Sequence, residues 1–391
     1  MNRVLVLLAF ACHPEQGSEP GAGWAALTVA AELYDSIVVV TESRDDGRLT
    51  ARSRELPAEV AVHHVGSARL ENSSVYLRYA DWVARAMPVI AAVRRPGVVV
   101  DIHHVTYAAD WLPTPLAVMR KGDGERWIWG PMGGSTRPPL RLAAALGARS
   151  VAFEAVRAVS GAAGRTINKL LLRRRVDALL VLNRDTARAW RRLPVITRPN
   201  AVVDYEQMPE PAAAVATPQA GAAKVMLYAG RGVDWKGLRL ALRAFALLPE
   251  EWEMHVAGRD TAALVEREGF AGHPRVVLHD KVDRATALSM IAAADVFALP
   301  SLHDSAPWAA AEAAGLGTPV VCLDLGGVSD LAGTLARPVA ARPVSTLPSR
   351  LAAAAVAAAE ESPLPDRPWT YEAMLEFMES VYGRALVGER E

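Results

Sequence analysis

Two doubly wound α/β domains in tandem are the fold class this sequence predicts, on three observations. Apolar runs of strand length are rich in Val, Ile and Leu without alternation, as in parallel strands covered on both faces. The chain opens as strand, glycine loop, helix, strand, which is the start of a nucleotide-binding α/β unit. The same opening recurs past residue 222, so the pattern starts twice. A chain of 391 residues is long enough for two cores.

The first half begins with strand "RVLVLLAF", loop "ACHPEQGSEPGAGW", helix "AALTVAAELY" and strand "SIVVVTES". Later strands read at "VVVDIHHV", "RWIWGP" and "VDALLVLN". The stretch "RPNAVVDYEQMPEPAAAVATPQAGAA" is rich in Pro and Ala without a period and predicts a linker near residues 200–222. The second half then runs strand "KVMLYAG", loop "RGVDWKG", helix "LRLALRAFALL" and strand "EMHVAG". Further strands follow at "RVVLHD", "DVFALPS" and "TPVVCLD". "WTYEAMLEFMESVYGRAL" has helical spacing and predicts a terminal helix. The expected domains are 1–200, 201–370, and a helix over 371–391 that packs back on the first.

Composition narrows the function. Hydrophobic residues make up 51% and charged residues 22%, as in a globular protein. Lys+Arg and Asp+Glu both number 43, so there is no overall pull toward nucleic acid or an anionic membrane. The two cysteines, Cys12 and Cys322, lie in apolar runs and read as buried free thiols of a reducing compartment. No CxxC or HExxH spacing suggests zinc. "MNRVLVLLAFAC" loosely mimics a short secretory or lipoprotein segment, but it runs directly into a glycine loop and reads as a first strand. No apolar run reaches about 20 residues, so no membrane span is expected and the location is read as cytoplasmic.

Two loops of the second half carry the chemistry. Arg231 and Lys236 follow a strand among Gly230, Gly232 and Gly237. Small residues let the backbone approach a ligand, and two cations suit a diphosphate. A cation at a helix start opposes the helix dipole, which points to an anion nearby. In "PSLHDSAPWAAAEAAGLGTPVV", Asp304 lies ahead of a helix expected to begin near Pro307 or Trp308, and Glu312 lies about 6–7 Å further along the axis. Backbone N–H groups between the two carboxylates form an anion site. Asp304 either takes donor-sugar hydroxyls or assists the cap, and Glu312 either takes ribose hydroxyls or is solvated. The alanines around Glu312 favour a buried carboxylate, which needs partners.

These residues resemble the retaining GT-B glycosyltransferases of family 4. Their signature is a carboxylate, seven residues, then Glu, and the likeness extends through "GRGVDWKGLRLALRAF", "PNAVVD", "ADVFALPS" and "WTYEAM". The first half, with "HHVTYAADWLPTP" and "WIWGPMGGS", is similar to a bacterial branch of that family. The resemblance implies two Rossmann-like domains facing a cleft and a last helix crossing back to the first domain. It implies hexosyl or amino-hexosyl transfer from a nucleotide diphosphate sugar, most commonly UDP-linked, to an acceptor hydroxyl. Arg231 and Lys236 would then hold the diphosphate, with Gly21 and Gly23 letting the N-terminal loop close over it. Asp304 would contact the transferred sugar with backbone near Ser305, Ala306, Pro307 and Trp308, while Glu312 holds ribose and Lys281 and Val282 flank the base.

This chain also departs from the pattern. Asp304 replaces the usual Glu, Ser305 replaces Gly, and the strand running into "WGPMGGS" lacks the His that touches the donor sugar in many relatives. His103 and His104, one strand earlier, are the substitutes expected for that catalytic role. The family has no D-x-D metal motif and none occurs here, so neither metal nor cofactor is expected.

Acceptor residues are expected on the first domain: Glu19, Asp110 and Glu154, with Trp24 and Trp111 as stacking faces. Carboxylates suit a cationic aminocyclitol or aminoglycoside precursor, as in antibiotic biosynthesis. A lipid-linked or surface polysaccharide acceptor is the alternative, supported by "NKLLLRRRV", although an ordinary packed helix is favoured there. A nucleotide-sugar epimerase of the same fold and a non-catalytic partner subunit are further alternatives. A dehydrogenase is disfavoured because "GSEPGAGW" lacks the GxGxxG spacing.

Overall fold

The computed structural model describes residues 2–16, 18–42, 47–145, 148–209, 223–361 and 363–387. Most of the expected linker, from residue 210 to 222, lies outside the described residues.

Two parallel sheets organise the chain. The first contains β1 (Asn2–Ala9), β2 (Ser36–Thr41), β3 (Glu59–His64), β4 (Val98–Thr106), β5 (Arg126–Met132), β6 (Ala178–Val181) and β7 (Val195–Thr197), in the order β3-β2-β1-β4-β5-β6-β7. The second contains β8 (Lys224–Ala229), β9 (Trp252–Ala257), β10 (Val276–His279), β11 (Val296–Leu299), β12 (Val320–Leu323) and β13 (Ala336–Val339), in the order β10-β9-β8-β11-β12-β13. In each sheet the order reverses beside the first strand, at β1/β4 and at β8/β11. Such switch points open a crevice beyond the strand carboxyl ends, where ligands of α/β sheets bind. Central strands such as β11 and β12 are buried along their whole length, which is why they read as unbroken apolar runs.

Four helices matter to the first sheet: α1 (Ser18–Ala31), α2 (Val75–Val93), α3 (Ala148–Leu172) and, at the end of the chain, α7 (Tyr371–Val387). Three matter to the second: α4 (Leu238–Phe245), α5 (Arg284–Ala293) and α6 (Trp308–Gly315). Packing divides the chain into two compact units. One comprises Met1–Ser135, Ser160–Val202 and Tyr371–Glu391, the other Thr136–Val159 and Val203–Thr370. Residues 136–159 therefore group with the second unit, whereas the sequence pattern placed them in the first.

Met374, Met378, Val381 and Tyr382 of α7 enter a core of the first unit with Leu5, Leu7, Leu27 and Ile37. Beneath them lies a buried charge. Asp101 in β4 is wholly inaccessible and binds Arg3 (2.9 Å), Arg126 Nε (2.8 Å) and the Tyr34 hydroxyl (2.7 Å). Burial pushes its carboxyl up, but these hydrogen bonds outweigh burial and hold it below the usual carboxylate range. Arg126 also donates to the Tyr382 carbonyl at 2.5 Å, fastening α7 to the same cluster.

Candidate active site

The loops after β8 and β11 flank the second sheet's switch point and are joined through their backbones. Leu302 N–H donates to the Trp235 carbonyl (2.9 Å), and the Ser301 hydroxyl donates to the Lys236 carbonyl (3.3 Å). The approach is close because Gly237, at φ +82°, has no Cβ; one added there would lie 2.1 Å from the Pro300 carbonyl oxygen. A short helical turn, Asp234–Lys236, then aims Lys236 across at the other loop.

Lys236 Nζ meets Asp304 Oδ2 at 2.5 Å, with side-chain exposures of 21% and 13%. The pair is half-buried yet open to a ligand. Both cations of the loop lie over one aromatic ring: Lys236 Nζ is 4.7 Å and the Arg231 guanidinium 5.8 Å from the Trp235 ring centre. Arg231 is exposed, and among the described residues it forms no ion pair with a carboxylate. The backbone of Asp304 is fixed by its carbonyl, which accepts from Gly327 N–H at 2.9 Å.

His303 stacks on Trp235 at 4.9 Å and 19°, and lies 6.5 Å from the Phe153 ring. Its Nε2 is 3.0 Å from Glu154 Oε1, and Arg157 bonds the same carboxylate at 2.9 Å. Burial raises the Glu154 carboxyl, but His303 and Arg157 more than compensate and hold it lowered.

Helix α6 begins at Trp308, with Pro307, whose side chain makes no capping bond, at its N-cap. Glu312 follows in the second turn, flanked by buried Ala310, Ala311, Ala313 and Ala314. Its partner is Arg284, the first residue of α5, which donates from Nε (3.1 Å) and Nη2 (2.7 Å). Lys281 is exposed and Val282 half-buried in the turn just before Arg284, which brings the expected base and ribose positions to one end of the site. The site thus runs from two cations, through an acid-base pair and a helix N-terminus, to a second carboxylate. Cations at one end and a ribose-sized acceptor at the other suit a nucleoside diphosphate.

Residues 223–360 match the family model described as glycosyl transferases group 1. D-inositol 3-phosphate glycosyltransferase of Xylanimonas cellulosilytica is 36% identical over 113 residues, 27% of each chain. The chain spans a quarter to about a third of the length of the curated relatives it matches (27%, 24% and 35%). Among solved structures, sucrose-phosphate synthase from Thermosynechococcus elongatus superposes with a TM-score of 0.63 at 16% identity, covering 99% of this chain and 100% of that one. Anabaena HepE in complex with UDP gives 0.54 at 14% identity, covering 98% and 100%. The fold is of the GT-B type, and within it residues 223–360 match glycosyl transferases group 1.

In this GT-B chain several expected residues hold other posts. His103 and His104 are each 1% exposed. His103 bridges the Tyr382 hydroxyl (2.8 Å) and the Gly130 carbonyl (2.6 Å). His104 contacts Thr114 Oγ1 (2.9 Å) and packs beside Tyr79 and Trp82. As neighbours on one strand the two rings leave opposite faces of β4, and both are buried because that strand is covered on both sides.

Gly21 and Gly23 do not form a phosphate loop. They lie within α1, where an added Cβ would strike the Gln16 carbonyl (2.4 Å) or the Ala11 carbonyl (2.2 Å), so the space is already filled by the chain itself. Asp110 is fully buried, bonded to Ser135 Oγ and 3.4 Å from Arg165. Glu154 sits in the second unit against His303, not among first-unit acceptor loops. Of the expected acceptor groups, Glu19 is exposed and accepts from Tyr107 N–H at 3.0 Å; Trp24 and Trp111 are half-buried.

The candidate site also contains residues not singled out in the sequence: Trp235, His303, Phe153 and Arg284. Arg284 had a signal, since a cation opening a helix opposes the dipole, just as at Lys236.

His103 and His104 set an acid limit on this fold. Burial drives His103 down to about 4, against a smaller raising effect of its Gly130 bond, and drives His104 down to about 3, aided by the neighbouring His103. The unfolded chain therefore binds more protons below about pH 6.5, so stability is complete above that value and falls as pH drops toward 4. By pH 5 the loss should be on the order of 2–4 kcal/mol. Melting temperatures from pH 7.5 to 4.5 check this; an unchanged Tm across the window would refute it, and His104→Gln should flatten the decline.

Proposed function

We propose that this chain is a retaining glycosyltransferase that moves a hexosyl or amino-hexosyl group from a nucleotide diphosphate sugar, UDP-linked, to a hydroxyl of a polar acceptor. The observation that carries this reading is the Lys236–Asp304 pair, set beside Arg231 on Trp235 and one helical turn ahead of Glu312. The choice of UDP is supported by Anabaena HepE, a protein of this fold whose structure was solved in complex with UDP.

In the proposed reaction Lys236 and Arg231 bind the diphosphate, and Glu312 takes the ribose hydroxyls in place of part of its bond to Arg284. Asp304 accepts from donor-sugar hydroxyls, and the first turn of α6 directs N–H groups at the phosphate. The bond from sugar C1 to the diphosphate oxygen breaks, and the acceptor oxygen bonds C1 on the same face. The acceptor proton passes to the departing phosphate oxygen. Charge accumulates on the leaving diphosphate, where the two cations and the helix end stabilise it without a metal ion.

The acceptor is assigned to a cavity of about 340 Å³ in the first unit, at the β1/β4 switch point. His13, Thr41, Glu42, Arg78 and Tyr107 line it. Glu42 and Arg78 form an ion pair at 2.5 Å there, so both signs of charge are offered. With Asp110 and Glu154 neutralised elsewhere, an aminocyclitol loses two of its three expected carboxylates, and a neutral polyol fits the cavity as well.

Calorimetric titration with UDP, GDP, ADP and TDP tests the donor reading. One diphosphate should bind at micromolar affinity, and Glu312→Ala should weaken it at least about tenfold, the equivalent of about 1.4 kcal/mol. If no nucleotide binds the wild type, the site is not a nucleotide-sugar site.

A further inference from the structure

The helix α3 is built inside out. Its polar side chains point into the protein: Asn168 donates to the carbonyls of Asp110 (3.1 Å) and Leu112 (2.9 Å), Arg165 pairs with Asp110, and Glu154 meets His303. Apart from Leu172, which is buried, and Phe153, which faces His303, its large apolar side chains point out: Val156 is 69% exposed, Val159 72%, Ile167 56% and Leu170 63%. At 3.6 residues per turn these four fall within an arc of about 80° on the face opposite the buried polar residues. A helix packed on a soluble protein has the reverse arrangement, with its apolar stripe inward.

Between residues 152 and 171 every exposed position of α3 is Ala, Ser, Thr or a large apolar residue, and none is charged. The arc belongs to one continuous helix, Ala148–Leu172. It ends at Arg173 and Arg174, both exposed. Beside it, Tyr76 (55%) and Leu77 (58%) at the start of α2 are also exposed. The Tyr76 ring lies 5.6 Å from Trp111, whose carbonyl packs on Gly164 of α3. A contiguous apolar surface of this kind marks an interaction site. An uncharged apolar arc closed by a basic pair is the pattern of a helix that lies in a lipid interface with its cations among anionic headgroups.

We infer that the outward face of α3 docks this protein onto an anionic membrane surface, with Ile167, Leu170 and their neighbours entering the headgroup boundary and Arg173 and Arg174 holding acidic lipid. The inference is independent of the donor chemistry. It differs from the expectation of an ordinary packed helix at "NKLLLRRRV", because the exposed apolar face begins well before that segment.

The test is co-sedimentation of the full chain with phosphatidylcholine vesicles, with and without about a third phosphatidylglycerol. The wild type should pellet with the anionic vesicles and do so less as salt rises. Ile167→Glu with Leu170→Glu should bind at least about tenfold more weakly. Its melting temperature should stay unchanged, because both side chains are exposed. Arg173→Glu with Arg174→Glu should abolish the preference for the acidic lipid. The proposal is overturned if the wild type stays in the supernatant with both vesicles, or if the double glutamate variant pellets equally well. It is also overturned if the wild type ignores vesicles but is a dimer in solution that this variant dissociates, which would assign the face to a second copy.

Discussion

Replacing Lys236 with alanine is expected to lower glycosyl transfer by about 10²–10³-fold, the effect of removing one charged donor from a developing oxyanion. The loss should fall mainly on kcat. The donor already carries charge in the ground state, so some binding is lost too, but the leaving diphosphate gains charge only as the C1–O bond breaks. The variant should remain folded. Lys236 pairs with Asp304 at 2.5 Å, but both side chains reach solvent, so water can replace the missing partner. The measurement is steady-state kinetics on whichever nucleotide sugar the calorimetry selects, beside a melting curve. An unchanged kcat would remove Lys236 from the reaction and with it the reading of this loop as the diphosphate site.

Arg126→Met should produce the largest loss of stability, about 3–5 kcal/mol, because it strands a buried carboxylate. Asp101 would keep Tyr34 and the partly exposed Arg3 but lose the guanidinium that donates to both of its oxygens. The anchor of Arg126 on the Tyr382 carbonyl would disappear as well. For a unit of this size the expected fall in Tm is about 10–15 °C. Two controls separate stranded charge from lost packing. Asp101→Asn added to Arg126→Met should recover part of the loss. The single variant's deficit should also shrink in acid, since its Asp101 carboxyl, now governed by burial, would be raised and would protonate more readily in the folded state. Equal deficits in single and double variants would assign the effect to packing.

The central strands were legible because both of their faces are buried, which leaves an unbroken apolar run such as "DVFALPS". The edge strands β3, β7 and β13 were not. β3 is mostly exposed, β7 has three residues and β13 includes a proline, so none leaves such a run. The start of α1 was misplaced for a related reason. Glycine in sequence reads as a loop, whereas Gly21 and Gly23 are small because a helix passes the Ala11 and Gln16 carbonyls. In the site, Lys236 and Asp304 stood out as charges among small residues at strand ends. Asp110 and Glu154 also stood out as acids, but misleadingly. Arg165 and His303, which pair with them, come from segments far along the chain and become neighbours only on folding. The same distance hid the Arg284–Glu312 bond.

The route of the chain has a consequence for biosynthesis. Residues 371–387 complete a core that the first residues began, while everything from 203 to 370 builds the other unit. On the ribosome the unit begun first is therefore finished last. Until Tyr382 emerges, His103 and Arg126 wait without their final partners and the faces of Leu27 and Ile37 stay uncovered. Neither unit is complete until residue 370 has been made, so for most of translation the open faces of the first unit need protection from aggregation.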